Sequence, residues 1–287
     1  MAIFETNAPT TNASDAEFRK WGKAISDGFA AAGWVKHGTD IDWATVITPT
    51  VAGAKGYEIW RMNDTLQATA PVFLKVEYGE GTTADRPQIW LTLGNGADGS
   101  GNITLANAQA PVRHVLTAAA GFTASAAETP IWVSGSTSRI GVALWVTAAS
   151  ASTGTFFVER AKNNVGANTG EYFTVYLSST VSPTNNGNQY TLLPDGRSAG
   201  TVTRLMGVVT SLASSIYNNA KGVSDIKPYL GKFGNPATVV VGIKAADWSN
   251  GSTSQISVYG SLVTYRVVNA GITGTNPVIA KIMMRWE

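Results

Sequence analysis

The chain has 287 residues, 44% of them hydrophobic, which is enough to build a core and excludes a disordered scaffold. Only 14% are charged, against about 25% in an average soluble protein. The net charge is +2 with basic residues scattered singly, so there is no electrostatic footprint for nucleic acid. Absence of cysteine removes disulfides, thiolate metal sites and cysteine nucleophiles, and two histidines, His37 and His114, are too few for a multi-histidine centre. No run approaches the ~20 apolar residues that cross a membrane. The opening Met1-Ala2-Ile3-Phe4-Glu5-Thr6-Asn7 lacks the basic and apolar regions of a secretory signal, so synthesis in the cytosol is expected.

Residues 1–35 read as a polar arm followed by a helix. Ser14 and Glu17 form a capping-box pair, after which Phe18, Trp21, Ile25 and Phe29 recur at spacings of three and four until Gly33. This predicts an amphipathic helix from Asp15 to Ala32 whose aromatic stripe must be covered by the chain itself or by a neighbour.

Beyond it the pattern shifts to period two and to short apolar runs between turn residues. Strands are predicted at Tyr57 to Met62, Pro71 to Tyr78 and Gln88 to Leu93, the last closed by the glycine-rich turn Gly94 to Asn102. Further strands are predicted at Pro130 to Val133, Ser138 to Val146, Thr155 to Glu159, Glu171 to Leu177 and Gln189 to Leu193, then at Ala237 to Lys244, Gln255 to Val268 and Val278 to Trp286. Ser198 to Tyr217 reads as strand-rich and Pro228 to Pro236 as a loop. Many short strands with Gly/Asn/Ser/Pro loops predict a mainly β fold, an antiparallel β-sandwich or barrel-like architecture with one N-terminal amphipathic helix. Periodicity fades over Ala106 to Pro130, which is either a boundary or a crossover within one domain. The β-rich regions 36–115 and 116–287 are therefore two domains or one.

Chemistry-bearing motifs are sparse. There is no G-x-S-x-G elbow, no phosphate loop and no carboxylate pair marked by an aromatic cleft. Asp40-Ile41-Asp42 and the Asn95 to Asn102 turn resemble fragments of calcium loops but lack the EF-hand spacing and its terminal Glu, and plain turns are expected there. No catalytic residue, metal or cofactor is expected. Trp60, Trp90, Trp132 and Trp145 fall in predicted strands as core residues. The loop aromatics Trp248, in Asp247-Trp248-Ser249-Asn250, and Tyr259 are the candidates for stacking on a sugar.

Five segments share a further likeness. They are Ala31-Ala32-Gly33-Trp34-Val35, Asp40-Ile41-Asp42-Trp43-Ala44-Thr45-Val46, Gly56 to Asp64 (GYEIWRMND), Ala70 to Gly79 (APVFLKVEYG) and Pro87 to Gly94 (PQIWLTLG). Together they resemble the opening region of virion structural proteins of tailed bacteriophages, over about the first hundred residues. The remainder is similar in style only, as Thr/Ser/Asn/Gly-rich β-structure. The resemblance transfers no catalytic residues. It implies a non-enzymatic virion component that forms a homo-oligomer and assembles with other virion proteins on the tail side, at the tail tip, baseplate or fibre attachment. The helix from Asp15 to Ala32, preceded by the polar tail Thr6 to Ala13, would serve as a docking element, with Phe18, Trp21, Ile25 and Phe29 as assembly contacts. Head decoration is the alternative within the particle. Recognition of a host surface glycan through Trp248 is the alternative of another class.

Overall fold

The computed structural model describes residues 1–105, 111, 113–116, 123–146, 154–177, 249–269 and 281–287, with short pieces at 189–192, 198–201, 229–230, 235–236, 238 and 240–243. The chain begins with β1 (Ala2–Pro9) and α1 (Asp15–Ala31), then β2 (Val35–Thr39), β3 (Gly53–Arg61), a 3-10 turn (Thr65–Ala68), β4 (Phe73–Glu80) and β5 (Pro87–Gly94). It continues through β6 (Gly96–Ala97), β7 (Ile103–Thr104), β8 (Arg113–Leu116), β9 (Glu128–Ser136), β10 (Arg139–Leu144), β11 (Gly154–Lys162) and β12 (Asn168–Leu177). The remaining strands are β13 (Gln189–Leu192), β14 (Ser198–Thr201), β15 (Tyr229–Leu230), β16 (Asn235–Pro236), β17 (Val240–Ile243), β18 (Thr253–Val258), β19 (Ser261–Asn269) and β20 (Lys281–Arg285).

The architecture is mainly β and antiparallel. Its sheets run β2-β3-β4-β5-β8, β1-β9-β10-β11-β12-β13-β14 and β17-β20-β19-β18, and none of the described strands closes a barrel. Period-two alternation sends Trp60, Met62, Leu74, Val76, Tyr78, Ile89, Leu91 and Leu93 from the five-stranded sheet into one core with Ile131, Val133, Ile140, Val142, Leu144, Phe156 and Val158 from the seven-stranded sheet. This core draws on residues either side of 115, so the two β-rich regions share it.

The other face of the seven-stranded sheet carries the C-terminal sheet. A Cβ on Gly141 would fall 2.6 Å from the Met284 sulfur, and the Trp132 and Trp286 rings lie 6.3 Å apart. With both faces covered, all nine residues of β11 are buried, including Glu159, Arg160 and Lys162. The strand expected at Thr155 to Glu159 runs on to Lys162, and its charges are internally paired, Arg160 with Asp64 and Lys162 with Glu159.

Helix α1 starts on Ser14, whose Oγ accepts from the Glu17 amide at 3.3 Å while donating to the Glu17 carboxylate at 2.8 Å. It ends one residue before the predicted limit in a Schellman motif. Gly33, at φ +86°, donates to the Ala30 carbonyl, and Trp34 donates to the Phe29 carbonyl and sets its ring edge-on to Phe29. The helix lies in the cleft between the first two sheets. Phe29 stacks on Trp60 of one and Phe156 of the other, while Trp21 meets Tyr78 edge-on and stacks on Trp145.

Several expectations are corrected. Much of the N-terminal arm is not free: Ala2–Pro9 pairs antiparallel with β9, from Ala2 opposite Gly135 to Pro9 opposite Glu128. Thr10, Thr11 and Asn12 are then buried, with Thr10 bonded to Ser125 and Thr11 to the Asp85 carbonyl. Pro228 to Pro236, expected as a loop, contains the β15–β16 pairing. Gln255 to Val268 is not one strand but a hairpin, turned at Tyr259 (φ +49°) and Gly260 (φ +79°). Strand β8, inside the stretch where periodicity fades, is the edge of the five-stranded sheet. Most of Ser198 to Tyr217 lies outside the described residues.

Candidate functional site

The densest chemical constellation surrounds Glu58. Alternation along β3 puts this carboxylate on the same face as Trp60 and Met62, so it is wholly buried. Its Oε1 accepts from Ser26 Oγ of α1 at 2.8 Å, from Lys36 Nζ of β2 at 2.5 Å and from Trp43 Nε1 at 3.1 Å. Its Oε2 accepts from Trp60 Nε1 at 3.2 Å and from the Tyr78 hydroxyl of β4 at 2.8 Å. Lys36 supplies the countercharge, with its ammonium also 5.0 Å from the Trp60 ring centroid. Trp43 reaches the carboxylate because its indole occupies the notch at Gly22, where a Cβ would lie 1.9 Å from the ring.

These donors more than fill the roughly four lone-pair directions of a carboxylate. The arrangement therefore leaves no acceptor for a substrate proton. What it does is tie helix, loop and three strands to one point.

Burial, with the neighbouring Glu58 charge, holds the Tyr78 hydroxyl well above its ordinary 10.0. The neutral phenol is thus favoured in the fold, so this contribution to stability is complete below pH 10 and is lost as pH rises past 10 through the folded value. Urea titrations from neutral to strongly alkaline pH should show the unfolding free energy falling above pH 10, by up to about 1.4 kcal/mol per pH unit from this group. Tyr78→Phe should flatten that limb; an unchanged slope would contradict the assignment.

Other buried charges do similar work between layers. Arg160 of β11 is fully buried and holds Asp64 with two bonds of 2.7 and 2.9 Å, while its Nη1 donates to the Ala70 carbonyl at 2.7 Å. Glu159, on the opposite face, accepts from the Thr238 amide at 2.8 Å and from its hydroxyl. Burial lowers the pKa of nearby Lys162, whose ammonium lies 3.7 Å from Glu159. Arg266 of β19 sits over Trp132 (3.9 Å) and Trp286 (4.6 Å) and pairs with Glu5 of β1, fastening the C-terminal sheet to the central one.

The residues nominated from sequence are distributed as follows. Phe18, Trp21, Ile25 and Phe29 are at most 1% exposed inside the chain's own core, which corrects their expected role as assembly contacts: no apolar stripe is left for a neighbour. The exposed side of α1 carries ion pairs instead, Lys23 to Asp27 at 2.6 Å and Lys20 to Glu128. Trp248 lies outside the described residues. Tyr259 is 39% exposed on a hairpin tip and packs against Gly166.

The two calcium-like turns are closed by their own backbone. Asp42 accepts from the Ala44 amide and the Thr45 hydroxyl, Asp40 from the Tyr57 amide, and Asp98 from Ser100 and Asn102. These bonds lower the Asp42 and Asp98 pKa values, with the Ala44 amide first for Asp42 and the Asn102 side chain first for Asp98. Among the described residues, no three His, Asp or Glu side chains gather to hold a metal, and no helix is long and apolar enough to cross a membrane.

Sequence reasoning missed the Glu58 cluster, although a carboxylate in phase with Trp60 and Met62 is its signature. No protein-family model matches the chain, and no curated protein matches it at a significant level.

Proposed function

We propose that the protein is a non-enzymatic structural component of a tailed-phage virion, on the tail side of the particle, assembling with copies of itself and with other virion proteins. The sequence resemblance over about the first hundred residues supplies the virion part of this reading. The observation that carries the assembly part is strand β1, the outermost of the described strands on its side of the seven-stranded sheet. It pairs with β9 over eight consecutive positions without a bulge; it contains no Lys, no Pro before its last residue and a single charge, Glu5, which is taken up by Arg266, so few of the usual devices blunt this edge. Met1 and Ile3 are 52% and 42% exposed beside it. Strand addition along such an edge needs no apolar stripe and suits a chain with few charges.

Burial of Glu58, Glu80, Glu159, Arg160 and Lys162 leaves the surface poorer still in charge than the composition implies. Saturation of Glu58 by structural donors also fits a scaffold better than a catalyst. The test is the protein content of purified phage particles from the host that makes this chain. The chain should be present at fixed stoichiometry, with antibody label on the tail. Its absence from washed particles would overturn the reading, and label confined to the head would replace the tail placement with decoration.

A further inference from the structure

Basic residues that stand singly in the sequence meet where the seven-stranded sheet and the C-terminal sheet join. Arg139 opens β10 directly opposite Glu159 of β11, and alternation puts it on the same face as Gly141, against which Met284 of β20 packs. Arg285 follows Met284. Its cross-strand partner Tyr265 donates to the Thr238 carbonyl at 2.6 Å, and the Thr238 amide donates to Glu159 at 2.8 Å. The Lys162 ammonium lies 3.7 Å from Glu159. One buried carboxylate is therefore approached by three cations, Arg139 and Lys162 from the central sheet and Arg285 from the C-terminal one.

The two arginines are the unsatisfied members. Both are half-buried, and among the described residues neither makes an ion pair. Arg139 donates to the Met1 thioether at 2.9 Å, a weak acceptor for a charged donor, and Arg285 donates to the Glu287 carbonyl at 3.3 Å. The Glu287 side chain is held by the Thr264 hydroxyl at 3.2 Å instead. The remaining guanidinium nitrogens of both arginines are open to solvent, unlike Arg266 Nε, which is sealed. Burial first, and then the Arg285 charge, lower the pKa of Arg139; burial lowers that of Lys162 too, with both arginine charges adding to it. Like charges held together in a partly desolvated place repel, and an anion among them removes that cost.

We propose that Arg139 and Arg285 form a binding site for a phosphate group in its dianionic form. Each guanidinium is a planar fork, and two forks from two sheets suit the three acceptor oxygens of a phosphate. Three cations against one carboxylate leave a surplus of two positive charges, which a dianion balances and a carboxylate or a phosphodiester does not. The inference does not rest on the virion reading.

The experiment is calorimetric and NMR titration of the full chain in chloride buffer of fixed ionic strength, at about pH 8, where a phosphate carries close to two negative charges. Inorganic phosphate is used in one arm and glycerol phosphate in the other, with acetate and the monoanionic diester dimethyl phosphate as controls. Saturable shifts of arginine Nε–H signals are expected, and Arg139→Gln and Arg285→Gln should each weaken binding about tenfold or more. Saturation by inorganic phosphate assigns the site to the free ion, and saturation by the ester alone assigns it to a phosphate carried on a larger molecule. Because neither arginine is ion-paired, both variants should fold and, without phosphate, melt no lower than wild type; only wild type should gain melting temperature as the site fills. Arg139→Lys keeps the charge but loses the fork, and should bind more weakly than wild type and better than Arg139→Gln; it keeps the test open if a glutamine variant does not fold. No saturable response to either phosphate up to about 20 mM, or equal binding by wild type and the variants, would overturn the proposal. Dimethyl phosphate binding as tightly as inorganic phosphate would overturn the assignment to a dianion.

Discussion

Glu58→Ala is expected to lower the unfolding free energy by about 3–5 kcal/mol, the cost of breaking a buried ionic arrangement by removing one side of it. The loss is large because the partners do not leave with the carboxylate. Ser26, the Trp60 indole and the Tyr78 hydroxyl lose their acceptor in places where water does not replace it, and the Lys36 ammonium loses its countercharge. Glu58→Gln keeps the shape but turns an NH2 toward donors, so it should be destabilising by a smaller amount. Combining Glu58→Leu with Lys36→Met removes both charges and should recover part of the loss. Urea midpoints at constant m measure all three. A shift below about 1 kcal/mol for the alanine variant would mean that the carboxylate is not the anchor described above.

The second large effect is in the helix stripe. Trp21→Ala should destabilise the isolated chain by about 3–5 kcal/mol, the range for truncating a buried large aromatic. Trp21 is 1% exposed and has three ring neighbours, Phe18 at 6.2 Å, Tyr78 at 6.0 Å and Trp145 at 6.5 Å, which together join the helix to both sheets. Its indole N–H has no acceptor among the described residues, so Trp21→Phe forfeits area but no hydrogen bond there and should cost less. The measurement separates two roles for the stripe: an aromatic kept for a neighbouring chain would leave the stability of the lone chain nearly unchanged on truncation. Denaturation of the purified protein under conditions where it is monomeric decides between them.

The helix was legible because its signals are local. A capping pair, a stripe at three-four spacing and a terminal glycine all lie within twenty residues, and each has its counterpart in the fold. The central strands were legible for the same reason, through alternation bounded by turns. Strand β1 was not, since Ala-Ile-Phe-Glu-Thr-Asn-Ala-Pro has no clear alternation of apolar and polar residues and its partner β9 lies far along the chain. Its strand character comes from that pairing and from Phe4, which lies against Gly28 of α1.

The burial of Arg160 and Lys162 was hidden likewise, because only tertiary context tells a strand covered on both faces from one leaving the core. Glu58 was half legible. Its phase in β3 placed it inward, but Ser26, Lys36, Trp43 and Tyr78 come from separate elements, and nothing in their spacing announces that they converge.

The most direct test of the account is incorporation into particles of a chain whose only change is at the sheet edge. Ile3→Lys together with Asn7→Lys places gatekeeper charges on exposed positions of β1 while leaving Phe4, Thr6 and the α1 core intact. Composition of purified particles, compared between wild type and this variant, should show wild-type chain at fixed stoichiometry and the variant folded in solution but missing from the particles. Variant chain recovered in particles at the wild-type level would contradict assembly through β1.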